Sequence, residues 1–284
     1  MTAATSSRMP RHAAWRRLRR NPGAVLGSLL LALLLGCALL GPLILGGPLA
    51  QDLGARLSPP SSAHLLGTDQ LGRDVLSRVL NGARISLGLG VGVMLASLLI
   101  GTAVGLLAGL LGGWWDELLM RLTDIFLAFP GLILAMAISA ALGPNLRNVM
   151  IAVALVSWPA YARLVRAQVL ALREREFVEA ARAMGSSPGR VALKHLLPNT
   201  LAPLLVQGSF DVGSAILTAA GLGFIGFGAQ PPTPEWGAMV SETRNYIGQA
   251  PWASSAPALG ILLTVLAFNL IGDALRDVFD PRHA

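Results

Sequence analysis

Six stretches of this 284-residue chain are candidates for the run of roughly 20 apolar residues that an α-helix needs to cross a bilayer, the fourth completed by helical extension past its apolar part. They run from Ala24 to Leu45, Ile85 to Leu111, Leu118 to Leu142, Val149 to about Arg163, Leu201 to Gly228 and Ala253 to Gly272. A water-soluble chain of this length would have to hide them under a charged surface. With 54% hydrophobic and 13% charged residues there is too little charge to do so. The expected fold is therefore all-α, a polytopic membrane protein with six transmembrane helices and the lipid bilayer as its solvent. The first run follows a basic stretch, "RHAAWRRLRRN", but is longer than the roughly 7 to 15 apolar residues of a signal peptide and lacks a clean A-x-A site, so it reads as a retained helix. The resulting division is a basic tail at 1–23, a first span at 24–46, an external segment at 47–84, and a core of five spans at 85–284.

Lys and Arg are retained on the cytoplasmic side of a membrane. With the N-terminus inside, only Arg56, Arg73, Arg78, Arg84, Arg147 and Arg244 fall outside. The other 16 of the 22 basic residues fall inside. Both termini are thereby expected in the cytoplasm, as is the charged segment at about 167–200. The external segment 47–84 would carry an interfacial helix, "VLSRVLNGARISL", leading into the second span. Trp236 and Tyr246, in a second external stretch, suit the membrane interface.

Several function classes are excluded. The net charge of +7 is scattered in short patches between apolar runs and is not interleaved with aromatics, so nucleic acid is not a partner. The lone Cys37 permits no intramolecular disulfide. His12, His64, His195 and His283 lie far apart without i, i+4 companions, so neither a metal site nor a catalytic centre is expected, and no cofactor. A phosphate-cradling loop needs Gly-Lys-Ser/Thr, but the only lysine, Lys194, sits between Leu193 and His195. The chain itself is expected to hydrolyse no ATP.

The inward segment "EFVEAARAMGSSPGRVALKHLLPNT", Glu176 to Thr200, has its own chemistry. Good helix formers lead to Gly185, able to end a helix in a left-handed conformation; Ser187 can cap a second helix that Pro188 begins. The expectation is two short helices at a sharp corner. Ala180, Ala181 and Ala183 leave one side slim, and Glu179 and Arg182 offer charge pairing at i, i+3 or across an interface. By shape alone this is either a solvated hairpin or a docking element.

"EAARAMGSSPGRVALKHLLP" resembles the EAA signature of ABC importer permeases, with Glu179, Ala180, Ala181, Gly185, Leu197 and Pro198 at the matching positions. His195 stands where many members have an aliphatic residue and is similar to the "HxLPN" form of the peptide and nickel subgroup. "LGTDQLGRDVLSRVLNGARISL", "PPTPEWGAMV" and "FNLIGDALRDVFDPR" extend the resemblance over most of the chain. Together they resemble the C-type permease subunit of dipeptide, oligopeptide and nickel importers. The resemblance implies a bacterial cytoplasmic (inner) membrane location, a homologous B-type permease subunit, two cytoplasmic ATPase subunits and an external substrate-binding protein as partners. It implies import of short peptides by alternating access, or in the same architecture of nickel, a metal chelate or glutathione. It also implies that Glu179, Ala180, Ala181, Gly185, Ser187, Pro188, His195, Leu197 and Pro198 form the segment that couples to the ATPases. A self-sufficient secondary transporter would instead show inverted repeats with ionisable residues in both halves.

Gln207 and Asp211, four apart on one face of the fifth span, are the candidates for a translocation path. Burying a charge in hydrocarbon costs at least about 2.5 kcal/mol, so they line a wet cavity or serve a helix–helix hydrogen bond. Asp124 lies near a span end, where a structural role is expected.

Overall fold

The computed structural model describes residues 21–45 and 47–279. The basic tail up to Arg20, with His12, and the C-terminal Arg282 and His283 lie outside the described residues. Among the described residues there are nine α-helices: α1 (Pro22–Ile44), α2 (Val75–Leu111), α3 (Gly113–Leu127), α4 (Gly131–Leu142), α5 (Leu146–Arg173), α6 (Glu176–Ala183), α7 (Pro188–Ile225), α8 (Trp236–Thr243) and α9 (Pro251–Phe279).

Local sequence explains where the long helices begin. Asn21 caps α1 by accepting from Gly23 N at 2.9 Å, and Pro22 takes the first position, where a missing N–H costs nothing. Asp74 caps α2 through Ser77 N at 2.7 Å. α2 has 37 residues and so a length of about 55 Å, well beyond the roughly 30 Å of hydrocarbon. Its first turns are the stretch expected to lie along the interface. They are instead continuous with the span and packed inward, with Val75, Ser77, Arg78 and Ala83 all buried, because Arg78 has carboxylate partners there.

α1, α2, α5, α7 and α9 are each long and apolar enough to cross a membrane. α1 and α7 run one way through the bundle and α2, α5 and α9 the other, so that α2 and α5, separated in sequence by α3 and α4, lie parallel. Asn21 Nδ2 donates to Asp277 Oδ2 at 3.2 Å, bringing the start of α1 to the end of α9 on what we term the tail face. The end of α1 meets the start of α2 on the opposite, loop face, where Ser77 Oγ donates to the Leu45 carbonyl.

The third span is not the single helix expected. α3 and α4 are bent by 90° at a short break. Pro130 is the cause, since it has no N–H to give and disfavours helical backbone at Phe129. Its own ψ of 121° marks the break. The bent pair nevertheless runs beside α5 for most of its length. Arg166 holds Asp116 in a bidentate pair at 2.5 and 2.6 Å, Arg163 reaches Asp124 at 2.7 Å, Phe126 meets the Trp158 ring edge-on, and Asn148 donates to the Leu142 carbonyl. Hydropathy sees the composition of such a pair but not its direction.

α2 and α5 make the most intimate contact. Gly101, Gly105 and Gly109 recur every four residues on α2, and α5 lies directly on them. A Cβ at Gly105 would stand 2.4 Å from the Ala162 carbonyl oxygen, and one at Gly101 2.5 Å from that of Trp158. In lipid, where apolar surface gains nothing from meeting apolar surface, such close backbone approach is what holds helices together.

Candidate functional site

α5 carries the chain well past its apolar part to Arg173, and α6 follows after two residues. α6 ends in a Schellman motif: Gly185 N bonds to the Arg182 carbonyl at 2.9 Å and Ser186 N to the Ala181 carbonyl at 3.0 Å. Gly185 takes φ +82°, the left-handed region that a side chain disfavours. Ser187 then caps α7, accepting from Arg190 N at 3.4 Å, with Pro188 at the first position. The second helix is not short. From Pro188 it continues through a π turn, Ala192–Leu196, into the fifth span as one 38-residue helix.

Val178 and Ala181 face inward on α6, and Val191 and Leu196 on α7, into a cluster with Val165 and Val169 of α5. The corner is therefore bolted to the bundle. Glu179, Ala180, Gly185, Ser187, Pro188 and Pro198 are exposed, His195 and Leu197 half-buried, and Ala181 buried. The His195 ring sits 6.4 Å from that of Phe177, spanning α6 and α7. Glu179 and Arg182 are both exposed and form no ion pair with each other. The sequence reading missed the apolar members of this surface: Phe177, Met184 and Leu193 are 44%, 81% and 66% exposed. The helical period does not single them out, since Phe177 and Met184 stand four and three residues from the buried Ala181, on the flank of the same face.

About 36 Å along α7 from Ser187, by helical rise, stands Asp211. Gln207 Nε2 donates to its Oδ1 at 3.0 Å, one turn apart on the same helix. The expected pair thus exists, but bonded within α7 and not to another helix. The buried Tyr161 hydroxyl of α5 lies beside the Asp211 carboxylate without a hydrogen bond of ordinary geometry. Below them a groove of about 670 Å³ opens between α5, α7 and α9, lined by Leu164, Gln168, Pro203, Val206, Gln207 and Arg276.

On the loop face lies a cluster that the sequence reading did not assemble. Asp69 Oδ2 receives Arg73 Nε at 2.6 Å and Arg78 Nη1 at 2.8 Å, while its Oδ1 accepts from the backbone of Leu71 and Arg73. Glu242 of α8 closes the ring, Oε2 taking Arg73 Nη2 at 2.5 Å and Arg78 Nη2 at 3.3 Å. Burial pushes the Glu242 carboxyl above its usual range, with the Arg73 charge opposing. Glu235, also buried, caps α8 through Gly237 N and Ala238 N and accepts from Ser86 Oγ of α2. Trp236 is 1% exposed, its Nε1 bonded to the Val79 carbonyl, so it is a wedge between helices and not an interfacial anchor.

The family model described as "Binding-protein-dependent transport system inner membrane component" matches residues 101–284. The chain belongs to this family. A second model, the N-terminal TM domain of oligopeptide transport permease C, matches residues 10–60. The chain is 46% identical over 274 residues to the dipeptide transport system permease protein DppC of Alkalihalophilus pseudofirmus, covering 96% of this chain and 90% of that one. It is 47% identical to the probable D,D-dipeptide transport system permease protein DdpC of Escherichia coli (93% and 89% covered). It is 45% identical to the glutathione transport system permease protein GsiD of Pectobacterium atrosepticum (98% and 93%). Among solved structures, an inward-facing form of the MetNI methionine ABC transporter superposes with a TM-score of 0.58 at 21% identity, over 71% of this chain and 96% of that one, and shows the fold alone. The protein is a membrane permease component of an ABC importer, and the broken and unbroken helices described above are those of a permease.

Proposed function

We propose that this permease imports short peptides carrying free amino and carboxyl ends, driven by cytoplasmic ATPases that grip the corner between α6 and α7. The observation that carries the substrate is the near full-length identity of 46–47% to two dipeptide permeases. Glutathione import is the second reading, favoured by the 45% identity to GsiD, and glutathione is itself a small peptide.

The coupling role rests on geometry. Exposed Glu179, Ala180, Met184, Gly185, Ser187 and Pro188 form a compact knob with charge on one flank and apolar atoms on the other. Val178, Val191 and Leu196 fix that knob to α5. A push on it acts directly on α7, a continuous rod that also carries Gln207 and Asp211. The tail face is then cytoplasmic, and both termini lie on that side. The charge asymmetry supports this. Six of the 22 basic residues fall on the loop face and the other 16 on the opposite side. An external binding protein would meet the loop face, and a B-type permease would complete the path beside α7.

The test is uptake by the reconstituted complex of this chain with a partner permease, ATPase subunits and a binding protein. ATP-dependent accumulation of radiolabelled alanyl-alanine at a rate at least ten times that of glutathione is the expected result. Preference for glutathione would establish the second reading, and uptake of neither would refute both.

A further inference from the structure

Asp211 differs from the ion-paired acids of this fold. Asp116 and Asp124 are paired with arginines, and Asp69 and Glu242 with two. Asp211, in the middle of an apolar helix, has only neutral neighbours: Gln207 and Tyr161. A carboxylate held at that depth without a cation is costly unless a cation arrives or water surrounds it. Gln207 occupies one carboxylate oxygen, and the buried Tyr161 hydroxyl lies beside the carboxylate with its own hydrogen bonding unspent.

Asp211 is also not alone on its face. Ser214 and Thr218 follow at i+3 and i+7, so that Gln207, Asp211, Ser214 and Thr218 form a stripe about 16 Å long up one side of α7. Gln207, Asp211 and Thr218 are half-exposed and Ser214 exposed, whereas Val212, Gly213, Ala215 and Ile216 between them are buried. The stripe therefore faces out of this chain. It begins at the groove between α5, α7 and α9 that Gln207 lines and rises toward the loop face. Apolar packing does not need hydroxyls and an acid in that order. A path for a hydrated, charged solute does.

We infer that Asp211 is a specificity-determining residue of the translocation path, taking the α-ammonium group of the passing peptide, with Gln207 holding the carboxylate and the Tyr161 hydroxyl beside it. This rests on the peptide reading above. A zwitterionic peptide supplies the missing positive charge only transiently, which suits a path that must release what it binds. Ser214 and Thr218 offer hydroxyls to the peptide's amide groups along the same line.

The experiment has two arms. In proteoliposomes holding the whole complex, Asp211→Asn is expected to copurify the partner permease and ATPases normally. It should keep ATP hydrolysis stimulated by loaded binding protein within twofold of wild type, yet import alanyl-alanine at least tenfold more slowly. Asp211→Glu should recover most of that loss. In the second arm, Ser214→Cys in a Cys37→Ser background is treated with cationic and anionic methanethiosulfonates. The cationic reagent should react at least tenfold faster relative to the anionic one than it does when Asp211→Asn is added. Unchanged uptake in Asp211→Asn would overturn the inference. So would loss of the partner permease from that variant, which would give the charge to a subunit contact, or no reaction of the Ser214→Cys thiol with either reagent. If the wild-type complex hydrolyses ATP but takes up no alanyl-alanine, the peptide reading itself has failed, and that failure is visible before any variant is compared.

Discussion

Glu179→Arg yields a protein that inserts and folds as the wild type does but no longer couples. Glu179 is exposed, forms no ion pair with Arg182 and lies outside the spans, so its replacement changes stability by no more than about 0.5 kcal/mol. At an interface, the reversed charge meets groups arranged for a carboxylate, and like-charge juxtaposition costs several kcal/mol. Uptake should fall at least a hundredfold, with ATPase subunits either lost on purification or retained without substrate-stimulated hydrolysis. Gly185→Val acts on the same corner by another route. A Cβ there meets nothing within 4 Å in this chain, so the local cost is the left-handed backbone alone, on the order of 1–2 kcal/mol. Any further loss measures what presses against the corner from outside. Wild-type uptake in both variants would reduce the segment to a solvated hairpin.

The second large effect lies on the loop face. Asp69→Asn leaves the backbone of Leu71 and Arg73 an acceptor but removes the negative charge between Arg73 and Arg78, both 1% exposed. Breaking a buried ion pair on one side costs about 3–5 kcal/mol, because a charge is left uncompensated. For a chain of this size that is a drop of roughly 6–20 °C in melting midpoint. Asp69→Asn combined with Arg78→Met should recover a good part of it, since Arg73 and Glu242 remain as a balanced pair at 2.5 Å. A single variant within 2 °C of wild type in detergent would show that the ring carries no stability. Because Glu235 and Trp236 fix α8 to α2 and Glu242 fixes it to the 69–78 turn, the cluster makes the loop face one rigid platform.

The parts legible in the sequence are those that depend on neighbours along the chain. Apolar length gave the spans, and Gly185, Ser187 and Pro188 gave the corner, because a helix end is specified by the few residues around it. Where the chain must meet itself over long separations, legibility failed. Asp69 and Glu242 are unremarked acids until the fold brings them to the same two arginines. Trp236 reads as an interfacial aromatic until Ser86 and Val79 close around it. Hydropathy is blind to direction: a proline such as Pro130 can bend its helix or mark a helix start, but nothing along the chain says that the break reaches 90°. Gly101, Gly105 and Gly109, four residues apart, do carry a local close-packing pattern, but it names no partner until α5 lies on it. On α7 the polar pair was found, but its continuation through Ser214 and Thr218 becomes meaningful only once their neighbours are seen to be buried.

The claim that an ATPase seats on the α6–α7 corner is tested most directly by a photo-crosslinking amino acid at Met184, 81% exposed at the tip of the knob and free of internal partners that would be lost. In intact cells expressing the whole complex, irradiation should yield a covalent adduct containing this chain and the ATPase subunit, identified by mass spectrometry. The same amino acid at Thr233, on the loop face, should yield no such adduct. An ATPase adduct at Thr233 with none at Met184 would invert the orientation, and no ATPase adduct at either position would contradict the account.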